Sequence, residues 1–131
     1  MCARFESGGV VHKPGDQIRA TSASGPLLLP WAGFARSEIL GWWRRQGGEL
    51  LDVAAERFAE RAEDDGSLIW DDVPPGLVIR ALRDPRGRLP LLKVVTRPAT
   101  PAELARFRHP RMPLLEPPMF PGPTFCLRGG P

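Results

Sequence analysis

The segment GLVIRALRDPRGRLPLLKVVT, residues 76–96, decides the class of fold. Two runs rich in Val, Ile and Leu, 76–82 and 89–96, flank RDPRGR, where Asp-Pro and Gly supply turn chemistry. This is the pattern of a β-hairpin, and a hairpin implies an antiparallel sheet.

Working outward, SLIW (67–70), PLLLPW (26–31) and QIRAT (17–21) read as further strands, the last two separated by the turn-forming SASG. On the other side, TPAELARFRH sets Thr100 as a helix N-cap, Pro101 at the first helical position and Glu103 three residues after the cap. That is a capping box and predicts a short helix ending near His109. Two more short helices are expected between these strands. ARSEILGWWRRQ carries Ile39, Trp42 and Trp43 at three- and four-residue spacing, and ELLDVAAERFAERA puts Leu51, Ala55, Phe58 and Ala62 on one helical face. Gly47 and Gly48 divide them, because a glycine inside a helix costs about 1 kcal/mol. From Arg111 the chain is Pro-rich, and the expectation is an extended strap without regular structure.

The whole reads as one α+β domain over residues 1–131, with a mainly antiparallel sheet, a barrel-like arrangement being one form of it, a few short helices, and 111–131 as an extended C-terminal segment. With 131 residues the chain suits one core rather than two, and 16 Pro with 14 Gly argue against a regular helical bundle. No run approaches the roughly 18 apolar residues of a membrane span, and the start MCARFESGGV lacks a signal-peptide pattern. The expected location is therefore cytoplasmic, nucleoid-associated if the source is bacterial. There the two cysteines, Cys2 and Cys126, stay reduced. A net charge of +3 leans toward an anionic partner without requiring one.

Cys2 is the first candidate for chemistry. Once Met1 is removed it carries an α-amine with a reference pKa near ~7.7–8.0 beside a thiol near ~8.5. Toward an aldehyde the amine forms an imine and the sulfur closes on it, giving a five-membered thiazolidine; a lone lysine stops at the imine. The alternative is a passive Cys2 in a first strand. His109, after the capped helix in RFRHPRMP, suits proton exchange near neutral pH, or else caps the helix C-terminus. His12 in VVHKPGD is less distinctive. In GWWRRQ, Trp42 and its neighbouring arginines have the chemistry of single-strand binding, stacking plus phosphate contact; the alternative is one core Trp beside one half-exposed Trp. No C-x-x-C or paired-histidine spacing supports a metal site, and no phosphate loop or G-x-S-x-G elbow is present. Neither a metal nor another cofactor is expected.

Taken in order, MCARF, KPGDQI, LPWAGF, FARSE or LDVAAER, and GLVIRAL through HPRMP (109–113) resemble the SRAP family, the SOS-response-associated peptidase domain, along nearly the whole chain. Members typically show M-C-G-R-F, N-A-R-A/S-E, V-P-A-x-G-F-x-E-W and H-x-R-M-P. The resemblance implies covalent capture of abasic sites in single-stranded DNA by a thiazolidine at Cys2, with autoproteolysis limited to releasing the leading residue, by a protein acting as a monomer. It implies proton transfer or imine stabilisation at His109 and a phosphate contact at Arg4; Arg36, Trp42 and Arg111 are the further candidate DNA contacts.

The family asparagine falls on Phe34 if FARSE is aligned and on Asp52 if LDVAAER is aligned; Arg36 matches the motif arginine in the first register and Ala54 stands there in the second. V-P-A-x-G-F-x-E-W, the source of a catalytic glutamate, is not recognisable in the chain. SLIWDDVPPG occupies a comparable place, making Asp71 and Asp72 candidates, with Glu38 or Glu56 as alternatives and Asp52 and Glu38 preferred for the catalytic set. Two other readings stand beside capture: a non-catalytic single-strand-binding module, and a protein-interaction module using the Pro-rich tail.

Overall fold

The computed structural model describes residues 2–121. In chain order these form β1 (Cys2–Ser7), β2 (Val10–His12), β3 (Gln17–Ser22), β4 (Gly25–Arg36), a 3-10 turn (Ser37–Ile39), α1 (Leu40–Arg45), β5 (Glu49–Val53), β6 (Arg57–Arg61), β7 (Leu68–Asp72), β8 (Val78–Asp84), β9 (Leu91–Pro98), α2 (Pro101–Phe107), β10 (Arg111–Pro113) and β11 (Leu115–Glu116). This is a mixed α+β fold, mostly sheet.

The hairpin forms as its sequence dictates. β8 and β9 pair antiparallel, with Ala81 opposite Val94 and Leu82 opposite Lys93. One sheet has the order β2-β1-β6-β7; the other runs β10-β9-β4-β3-β5-β8-β11. Because β8 also pairs with β9, the pairings β9–β4–β3–β5–β8 return to β9 in a closed circuit. The β4–β9 pair is parallel and the other pairs are antiparallel. One buried cluster joins Phe5 and Phe58 of the first sheet to Ile18, Trp31, Leu51, Ile79 and Leu92 of the second. A smaller one, Ala35, Trp43, Leu82 and Val95, seats α1. Burying an apolar side chain of Trp43's size contributes roughly 3 kcal/mol, enough to hold a six-residue helix with no side-chain cap.

Three expectations need correction. Residues 49–62 are not a helix but two strands, β5 and β6. Their Ala, Glu, Leu and Arg content favours a helix only weakly, and strand partners on both sides outweigh it: β5 lies between β3 and β8, and β6 between β1 and β7. Phe58, Ala59 and Glu60 are buried in succession, so the period-two alternation of a half-exposed strand is missing.

The helix expected over ARSEILGWWRRQ is shorter, because β4 continues to Arg36 before the 3-10 turn and α1 begins. Trp43 is its core residue and Trp42 is 38% exposed. The helix stops where Gly47 turns left-handed at φ 87°, and the next position also needs glycine. A Cβ on Gly48 would lie 2.8 Å from the Trp43 carbonyl oxygen.

The start of the Pro-rich segment is also regular. β10 pairs with β9 and β11 with β8, as edge strands where proline's missing N–H does no harm. Beyond them the Asp52 carboxylate accepts the backbone N–H groups of Met119 and Phe120. Cys126 and the rest of the tail lie outside the described residues.

Candidate active site

Strand β1 brings Cys2 to the middle of the first sheet, directly opposite Glu60 on β6. Opposed residues of an antiparallel pair have Cβ atoms roughly 5 Å apart. Both residues have 0% exposure. Burial raises the Glu60 carboxyl to about 7, against an opposing pull from the positively charged amino terminus. Burial, with the Glu60 charge second, also pushes the Cys2 thiol far up. The thiol donates to the Arg4 carbonyl oxygen at 3.3 Å. Cys2 is therefore held as a neutral thiol beside a carboxyl able to exchange protons near neutral pH.

His109 arrives from the other sheet. Thr100 and Glu103 close the capping box of α2, as the sequence implies. The helix ends at Arg108, whose backbone is left-handed at φ 51°. The turn directs the next residue, His109, to a cleft of about 390 Å³ whose walls include Cys2, Arg4, Phe34, Arg61 and Glu63. His109 Nδ1 lies 3.0 Å from the Arg111 backbone nitrogen and 3.2 Å from the Arg111 carbonyl oxygen, so either tautomer finds a backbone partner there. Burial, then the charge of the amino terminus, lowers its pKa from the ordinary value.

The cleft thus combines a primary thiol position, an imidazole, an aromatic wall and two arginines. Among the described residues neither Arg4 nor Arg61 forms an ion pair; they donate to the carbonyl oxygens of Ala3 and Gly66. Their charge is available to an anion at the rim.

Other expected residues lie elsewhere. Asp52 is buried against Arg80, and besides that ion pair it holds Met119 and Phe120. Its role is to anchor the strap. Glu38 receives two hydrogen bonds from the Arg111 guanidinium, at 2.6 and 2.8 Å, which lower its carboxyl to about 2. Arg111 also donates to the Thr96 carbonyl and hydroxyl, so both its charge and that of Glu38 are spent in bracing β10. Glu56 accepts the Gly8 backbone N–H. Asp71 and Asp72 line a different cavity of about 460 Å³, where the charged side chains Arg97 and Glu103, and Arg106 and Asp71, neutralise one another.

Arg36 is exposed at the end of β4, and Trp42 packs edge-on against Trp43 with the Arg86 guanidinium over its ring. Neither lines the Cys2 cleft. His12 stacks near Phe5 at a centroid distance of 5.0 Å. Among the described residues no group of three or more His, Cys, Asp or Glu is arranged to hold a metal ion.

Of the two registers for the asparagine motif, the cleft contains Phe34 and leaves out Asp52. The residue that sequence reasoning missed is Glu60. A signal was present: Val53-Ala54-Ala55-Glu56-Arg57-Phe58-Ala59-Glu60-Arg61 meets V-P-A-x-G-F-x-E-W at Val53, Ala55, Phe58 and Glu60. On a helix over 49–62, Glu60 falls away from the apolar face of Leu51, Ala55, Phe58 and Ala62, whereas on β6 it is buried opposite Cys2.

Compared with known proteins, the chain matches no family model, no curated protein and no solved structure.

Proposed function

We propose that this protein is a divergent SRAP-type protein that captures abasic sites in single-stranded DNA through a thiazolidine at Cys2. The observation that carries the reading is the place of Cys2, which lies opposite Glu60 across the β1–β6 pair and shares a cleft with His109, residues far apart in the chain and on separate elements. In this reading hydrolysis of the Met1–Cys2 bond exposes the Cys2 amine. The amine adds to the aldehyde carbon of the ring-opened sugar, and loss of one water gives the imine. The thiol then adds to the imine carbon, its proton passing to the former imine nitrogen, and the ring closes.

Proton transfer in these steps falls to Glu60 and His109. A carboxyl near 7 is both a competent acid for water loss and, once ionised, a base for the thiol. His109, whose pKa burial lowers, accepts or relays a proton at the cleft. Arg4 and Arg61 contact the flanking phosphates, and Phe34 offers a face for an unpaired base. No cofactor is used. The protein acts as a cytoplasmic monomer with a barrel-like SRAP sheet.

The test is an abasic-oligonucleotide cross-linking assay with wild type and Cys2→Ala. Capture predicts an adduct that survives denaturation with wild type and is absent from the variant; an unchanged adduct would refute it. A second reading, a binding module without covalent chemistry, is favoured by one residue: Phe34 stands where the motif has a polar asparagine. It predicts salt-sensitive single-strand binding and no adduct.

A further inference from the structure

We propose that Arg108 and the acidic turn Asp64–Asp65 form a clamp that positions His109 in the cleft; this rests on the capture reading for its functional consequence, though not for its geometry.

Among the described residues Arg108 is the one non-glycine with positive φ. Glycine is the usual occupant of a left-handed helix end, since it has no Cβ to clash. An arginine there needs compensating contacts, and it has them on one side. Its guanidinium reaches Asp64 at 2.8 Å, Asp65 at 3.3 Å and the Ser67 hydroxyl at 3.3 Å. Its carbonyl oxygen accepts the Glu63 backbone N–H at 2.9 Å. The turn that receives it is itself fixed, since Asp65 accepts both the backbone N–H and the hydroxyl of Ser67.

The acidic turn joins β6 to β7 and so continues directly from the strand carrying Glu60 and Arg61. His109, by contrast, follows α2 and precedes β10 of the second sheet. The clamp ties these two pieces one residue before the imidazole. Its ion pairs are roughly half exposed and so contribute little to global stability. What they fix is position: the guanidinium ties the end of α2 to the β6–β7 turn, and from that anchored point the left-handed backbone turns the chain into the cleft. The charged and titratable groups around His109 come from every neighbouring element: the amino terminus, Cys2 and Arg4 from the β1 side, Arg61 and Glu63 from the β6–β7 side, and Arg108 and Arg111 from its own segment. Arg108 is a positioning residue, acting through His109 rather than on substrate.

The experiment compares wild type, Asp64→Asn with Asp65→Asn, and Arg108→Gly. The double variant removes the charges while keeping side chains that can cap the turn, and the glycine keeps the left-handed backbone without the guanidinium. Histidine ring signals are followed against pH by long-range proton–nitrogen NMR, with His12 as internal reference. In both variants His109 should move up toward the ordinary value of ~6.5 as its ring leaves the cleft, while His12 stays put. Adduct formation with abasic single-stranded DNA should slow by ~10-fold, with its pH profile displaced in the same sense. An unchanged His109 titration in both variants would overturn the clamp, even if the melting temperature fell. If His109 shifts while wild type itself forms no adduct, the clamp stands and the capture reading fails.

Discussion

Cys2 and Glu60 face each other across the β1–β6 strand pair, both fully removed from solvent. A buried carboxyl beside a buried thiol is costly unless one of them stays protonated, and here the environment favours the protonated form of both. Cys2 is the member of the pair that also lines the cleft holding His109.

That arrangement makes stability depend on pH. The Glu60 carboxyl goes from its unfolded value of 4.5 to about 7 on folding. The unfolded state therefore loses its proton first, and stability from this group, fully present below 4.5, falls as pH rises to about 7 and then levels. At ~1.4 kcal/mol per unit, the span amounts to about 3 kcal/mol. Glu60→Gln should abolish that part of the slope and be the more stable protein at pH 8, while forming adduct at least ~10-fold more slowly. Urea denaturation at pH 5 and pH 8 gives the first result and quenched cross-linking the second.

Asp52 should matter for folding and not for chemistry. Its removal leaves the Arg80 guanidinium buried with a missing partner and frees the Met119 and Phe120 N–H groups. Asp52→Ala should cost about 3–5 kcal/mol in denaturant unfolding. Below its melting temperature, its adduct rate should stay within about twofold of wild type.

Arg4 and Arg61 should each account for one phosphate contact. Replacing either by alanine should reduce the slope of log K against log salt for single-stranded DNA by ~0.7. Arg111→Gln should leave the slope unchanged, because its guanidinium is taken up by Glu38 and Thr96. Fluorescence anisotropy over a salt series, with an oligonucleotide lacking abasic sites, separates the two behaviours.

Much of this was legible in the chain, and the failures have physical causes. The 76–96 hairpin and the α2 capping box are local devices, with turn and cap residues that carry their own geometry, so they could be read directly. Cys2 and His109 were candidates through their aminothiol and imidazole chemistry together with the resemblance at MCARF and HPRMP, and the fold sets them in one cleft. β5 and β6 were hidden by helix-forming residues, since what makes them strands is pairing with β1, β3, β7 and β8, which lie up to dozens of residues away. Glu60 was lost with them. Asp52 entered the catalytic set because aligning LDVAAER puts it at the motif asparagine, and only the fold reveals that Arg80 and the strap claim it.

The central claim is covalent capture by Cys2, and intact mass tests it most directly. The purified protein is weighed alone and after mixing with single-stranded DNA bearing one abasic site. The account predicts a protein lacking Met1, and then a species equal to protein plus oligonucleotide minus one water that survives denaturation. Processed protein that leaves the oligonucleotide unmodified, or a chain that keeps Met1, would contradict it.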